Sequence, residues 1–231
     1  VRGHPNIISL LDVTLSERGI PSLIFEYLNC PEHSKFSSIS TLPDIQFYMR
    51  QLAMALHFSH SNGIMHRDVK PQNIIVDYSR RILKLIDWGL AEFYTPCMNY
   101  NVRVASRYYK SPELLVDYQY YDYSLDIWSY GCVLAALIFQ KNPFFEGKDN
   151  LDQLFQVLKV LGTPLLRAYL IKYRHFLSKD ISEQLKEEPG IAFESLINKS
   201  NMHLARPEAI SLVKSCLKID HSVTIATLYH L

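Results

Sequence analysis

Between Gly63 and Glu92 the chain reads GIMHRDVKPQNIIVDYSRRILKLIDWGLAE, and no other stretch restricts the fold as tightly. Ile74-Ile75-Val76 and Ile82 to Ile86 are short β-branched, apolar runs, and the polar turn Asp77-Tyr78-Ser79-Arg80 joins them. That pattern predicts a tight hairpin. A hairpin folds the chain back on itself, so Asn73, at the entry of the first strand, lies beside Asp87, at the exit of the second. Asp68 stands five positions before Asn73, with Lys70 between them.

These residue types suit one kind of chemistry. Moving a phosphoryl group needs in-line positioning and cations to hold phosphate charge, together with a carboxylate that can receive a hydroxyl proton. Asp68 fits the carboxylate, and Lys70 can reach the transferring group. Asn73 and Asp87 offer hard oxygen ligands of the kind Mg²⁺ prefers, the remaining positions going to water and phosphate.

The spacing His66-Arg67-Asp68-Val69-Lys70-Pro71-Gln72-Asn73, then Asp87-Trp88-Gly89, then Ser111-Pro112-Glu113 resembles the ordered signature set of the eukaryotic protein kinases. Val69 replaces the usual Leu, Trp88 the usual Phe, and Ser111 the usual Ala. A single tripeptide of this kind would read as an acidic loop with a chance match; three in order do not. Asp87 to Tyr94, Tyr100 to Tyr108 and Tyr121 to Ser129 are similar to the casein kinase II catalytic subunits, where Trp within the Asp-x-Gly is usual. The likeness is specific over residues 1 to about 163 and thins beyond.

The resemblance implies an α+β, protein-kinase-like fold: a mainly helical large lobe over 31–231, a hinge at 26–30 and two remnant strands of the small lobe over 1–25. It implies a Ser/Thr kinase, Lys70 being the Ser/Thr pattern, that transfers the γ-phosphate of ATP, or of GTP, with Mg²⁺. Asp68 and Lys70 would be catalytic, and Asn73 and Asp87 would hold metal. The backbone of Glu26 to Asn29 would meet adenine, in a pocket lined by Phe25, Glu26, Leu28, Ile75 and Ile86. On composition alone Phe25, Ile75 and Ile86 read equally as core.

Arg103, Arg107 and Lys110 lie within eight residues, interleaved with Val104, Tyr108 and Tyr109. In isolation they are a solvated charge run. Placed between Asp87 and Glu113 they predict a basic surface that favours carboxylates near the target hydroxyl, as casein kinase II enzymes require of their acidic protein substrates. Ser106 and Tyr108 occupy positions where many kinases carry a phosphorylation switch, although the resemblance implies activity without one.

A net charge of +1 argues against whole-molecule nucleic-acid binding. The four cysteines are scattered with no C-x-x-C, which suits reduced thiols and an expected location in cytoplasm and nucleus. The longest apolar run, Ile127 to Phe139, is too short for a membrane span, so no membrane partner is expected. At 231 residues and 48% apolar the chain can bury one sizeable core.

Along the chain, Ile7 to Val13 and Ser22 to Tyr27 predict strands joined at Arg18-Gly19. Leu42 to Ser61 carries helical spacing through Ile45, Tyr48, Met49, Leu52, Ala53 and Leu56, opened by Pro43 and closed by Asn62-Gly63. His57, His60 and His66 lack a fourth ligand, so a zinc site is not expected. Asp122 to Gln140 predicts a helix buried on all sides, and the resemblance implies that Asp126, the odd carboxylate at its start, supports the catalytic loop. A helix over Leu151 to Leu161 stops at Gly162 and Pro164, residues 165–203 read as polar and irregular, and Pro207 to Leu217 is helical again.

No Gly-rich loop, strand Lys or partner Glu precedes this segment in the 231 residues, and no late Arg answers Glu113. The expectation is therefore a fragment of such a kinase, whose longer form would meet a casein kinase II regulatory (beta) subunit. A second reading remains open, a pseudokinase or binding module that docks acidic partners through the basic cluster without turnover.

Overall fold

The computed structural model describes residues 3–28, 36 and 39–223. Its first element is a ribbon of two antiparallel strands, β1 (Leu10–Leu15) and β2 (Pro21–Phe25), with a bulge between Leu10 and Asp12. The sequence places β1 earlier. Residues 6–8 instead pair with the later hairpin: Leu85 N–H donates to Asn6 O at 2.8 Å and Ile8 N–H to Leu85 O at 3.1 Å. An apolar run carries no signal of which edge it will join. The ribbon leaves Leu11, Val13, Leu15, Leu23 and Phe25 exposed.

Helix α1 (Leu42–Ser61) has the limits its sequence signals demand. Thr41 Oγ1 accepts from Asp44 N–H at 3.3 Å, satisfying one free donor of the first turn, and Asn62-Gly63 ends the helix. Its inward stripe, including Ile45, Leu52 and Leu56, is fully buried. The two-residue strand β3 (Ile64–Met65) follows, and then the predicted hairpin, β4 (Ile74–Asp77) and β5 (Ile82–Leu85), with Ile74 opposite Leu85 and Ile75 opposite Lys84. Gln51 of α1 pins it: its Oε1 accepts from Leu83 N–H at 2.8 Å and from Asn6 Nδ2 at 2.7 Å. β6 (Glu92–Phe93) pairs with β3.

A single turn, α2 (Pro112–Leu115), leads to α3 (Ser124–Phe139), all 16 residues of which are buried. This helix is the centre of the main core. Gly131 permits the close approach of α7 (Pro207–Cys216), since a Cβ there would stand 2.7 Å from Cys216 Cβ. Beyond α4 (Asn150–Leu161) the expectation of an irregular tract is corrected: α5 (Thr163–Tyr173) and α6 (Lys179–Gln184) are present. Pro164 sits in the first turn of α5, where its missing N–H is not needed, so it opens a helix as well as closing one. Gly162 turns the chain between the two helices at φ 92°, a conformation costly for any residue with a Cβ. Among the described residues no single helix is long and apolar enough to cross a membrane.

Candidate active site

The loop that follows β3 is held from below by one carboxylate. Asp126, in the first turn of α3 and wholly buried, accepts from His66 N–H and Arg67 N–H, each at 2.8 Å, and faces His60 Nε2 at 2.9 Å. Burial alone would raise this carboxyl, but the His60 bond, the nearby histidines and the loop N–H hold it below its ordinary value. These contacts stabilise a strained backbone at Arg67, whose φ is 66°. The supporting role expected of Asp126 is what the geometry shows. His60 serves it, and no group of three metal-ligating side chains occurs among the described residues.

His66 couples the loop to the hairpin. Its Nδ1 accepts from Asp68 N–H at 3.2 Å, which leaves Nε2 to donate to Ile86 O at 3.0 Å. Burial pushes its pKa down, in keeping with a neutral ring. Arg67 is spent internally, on Leu90 O at 2.7 Å, Tyr121 Oη at 3.2 Å and the Glu92 carboxylate at 3.7 Å.

Asp68 is 6% exposed and both its oxygens are engaged. Oδ2 accepts from Lys70 Nζ at 2.7 Å and Asn73 Nδ2 at 3.0 Å; Oδ1 accepts from the Ser106 hydroxyl at 2.9 Å and Ser106 N–H at 3.0 Å. Burial works to raise its pKa, but the bonds from Lys70 and Ser106 outweigh it and keep the carboxyl below its ordinary value. Lys70 Nζ also donates to Ser106 Oγ at 2.8 Å. An aliphatic hydroxyl thus lies between a proton acceptor and an ammonium. Ser106 figured in the sequence only as a modification candidate; its contact with Asp68 crosses 38 residues and carries no local signal.

The hairpin brings Asn73 and Asp87 together as expected, Ile86 N–H donating to Asn73 O at 2.9 Å. Both Nδ2 bonds of Asn73 run to Asp68, to its carboxylate and its carbonyl O at 2.8 Å. That fixes the amide orientation and leaves Oδ1 out of both bonds. The Asp87 carboxylate is at the surface, its Oδ1 accepting from Gly89 N–H at 3.3 Å. Two hard oxygens on adjoining segments fit a divalent cation of the Mg²⁺ type.

The residues expected around a nucleotide differ in exposure. Phe25 is 44% exposed, while Leu28, Ile75 and Ile86 are half-buried. Glu26 binds inward: Lys84 Nζ donates to its carboxylate at 2.6 Å, as does Ser9 N–H at 2.7 Å, and its own N–H donates to Ser9 O at 3.0 Å. Its N–H is therefore engaged within the protein, so of the Glu26 backbone the carbonyl is the group that could meet a base. Asn29 and Cys30 lie outside the described residues.

Of the basic cluster, Arg103 and Arg107 are exposed. Lys110 is not: it is 8% exposed, its Nζ donates to Val104 O, and burial lowers its pKa. The expected surface of three cations is corrected to two. Arg107 Nη1 donates to the carbonyl of Lys148, which brings that distant residue to the same surface. Glu113 is buried with Oε1 unpartnered, and burial pushes its pKa up to about 7.

A deep carboxylate bonded to a hydroxyl and an ammonium, with an amide and a second carboxylate on the adjoining hairpin, has the groups that phosphoryl transfer calls for, carried on a mixed α and β fold. The chain belongs to the protein kinase family, its residues 1–227 matching the family model for the protein kinase domain. Membership implies the use of ATP and Mg²⁺ in general, and the donor set of Asn73 and Asp87 agrees with it.

Proposed function

We propose that this chain carries the transfer site of a Ser/Thr protein kinase of the casein kinase II type, acting on hydroxyls in acidic surroundings. The observation that carries the reading is the Ser106 hydroxyl, 2.9 Å from Asp68 and 2.8 Å from Lys70. A substrate Ser or Thr hydroxyl entering that position would give its proton to Asp68, while Lys70 would hold the charge nearby. Asn73 and Asp87 would hold Mg²⁺, which when bound neutralises phosphate charge. Arg103 and Arg107 would favour substrate carboxylates, with Lys148 adding a cation to that surface.

The test measures phosphate incorporation by the chain, with Mg-ATP, into two peptides sharing one Ser, one acidic after the Ser and one neutral. Asp68→Asn should reduce incorporation about 10²–10⁴-fold. Arg103→Ala with Arg107→Ala should weaken the acidic peptide far more than the neutral one. Equal losses on both peptides would remove the acidic assignment. Binding of the acidic peptide by a chain whose incorporation is indifferent to Asp68→Asn would leave a docking module without turnover.

A further inference from the structure

A cavity of about 500 Å³ lies between α1, α3 and α7, and none of its lining residues belongs to the transfer site. Its floor is Tyr130, Leu134 and Ile138, successive turns of α3. One wall is the face of α1 from Leu42 to Arg50, and the other is the start of α7, through Ala209 and Leu212. Eight residues of helix measure about 12 Å, which is the span along α3 from Tyr130 to Ile138 and along α1 from Leu42 to Arg50. Along α1 the cavity is roughly 20 Å from His60, the residue that meets Asp126. The volume is that of an ordinary small-ligand pocket.

Charge is confined to three lining residues. Arg50 and Arg206 contribute guanidinium groups with no ion-pair partner among the described residues, and Glu208 contributes one carboxylate. An apolar trough with a surplus of one positive charge selects a ligand with a long apolar body and a single anionic end. The planar fork of a guanidinium matches a carboxylate with two parallel hydrogen bonds.

We propose that this cavity binds a long-chain monocarboxylate, a fatty acid anion, with its alkyl chain along α3 and its carboxylate at Arg50 and Arg206. The inference rests on the cavity and its charges, not on the kinase reading, and either can fail without the other.

The full chain is titrated calorimetrically with decanoate, dodecanoate and tetradecanoate below their micelle concentrations, with 1-dodecanol as the uncharged comparison. Saturable binding of one ligand per chain is expected, tightening about fourfold per added methylene. Dodecanoate should bind at least tenfold more tightly than 1-dodecanol. Arg50→Ala with Arg206→Ala, both at exposed positions, should erase that preference and leave dodecanol unaffected, whereas Glu208→Gln should tighten the acid. Ala209→Trp, filling the trough at a half-buried position, should abolish both ligands in a chain with unchanged circular dichroism. No saturable binding, as when other residues of the protein already fill the trough, overturns the proposal. So does an acid preference that survives loss of both arginines, or binding indifferent to Ala209→Trp.

Discussion

Asp68 and Glu113 are both carboxyls inside the molecule, and their surroundings drive them in opposite directions. Asp68 meets an ammonium, an amide and a hydroxyl, and stays ionised and ready to accept a proton. Glu113 has an unpartnered oxygen and holds its proton up to about 7, against an ordinary value of 4.5. Between those two values the folded chain binds more protons than the unfolded one at this position, so the contribution of Glu113 falls as pH rises. The fall is about 3 kcal/mol across the window. Urea unfolding at pH 5 and pH 8 should show that loss in the parent chain and a smaller one in Glu113→Gln. An unchanged slope in the variant would assign the pH dependence to other groups.

At the level of elements, what could be read in advance was whatever is encoded locally. Helix α1 was legible at both ends because Pro43 and Asn62-Gly63 each act on their immediate neighbours, and the structure adds the Thr41 cap. Removing the cap hydroxyl in Thr41→Ala should cost about 1 kcal/mol in unfolding free energy. The β4–β5 hairpin, and with it Asn73 and Asp87, was equally plain from its turn. The start of β1 was not, because Ile7 bridges to Leu85 and only tertiary packing selects that partner. Helix α5 was hidden by Pro164, which reads as a stop from one side and a start from the other. In the site, Asp68 and Lys70 were evident from their motif. The burial of Lys110 and the Ser106 contact depended on how the segment after Asp87 folds back over the loop, and no spacing announces that path. Asp126 was legible as an odd carboxylate opening an apolar helix. Asp126→Ala strands two buried N–H groups and should destabilise by about 3–5 kcal/mol, read from denaturant midpoints.

The molecule as a whole is organised around α3, with α1 and α7 packed on it and the transfer site at one end of the α1–α3 pair. A ligand that binds only the folded chain raises its stability by mass action. Mg-ATP at a hundredfold excess over its Kd should add about 2.7 kcal/mol and raise the melting temperature by roughly 5–10 °C. Chelation of Mg²⁺, or Asp87→Asn, should remove much of that rise; an identical rise without the metal would take Asp87 out of cation binding.

Asp126 gives the catalytic loop the same fate as the core, because its acceptors for His66 and Arg67 are anchored in the most deeply enclosed helix of the chain. Those two amides cannot trade deuterium by loop breathing alone. They should exchange as slowly as the middle of α3, through openings of the entire core, while amides of the β1–β2 ribbon exchange through small local fluctuations.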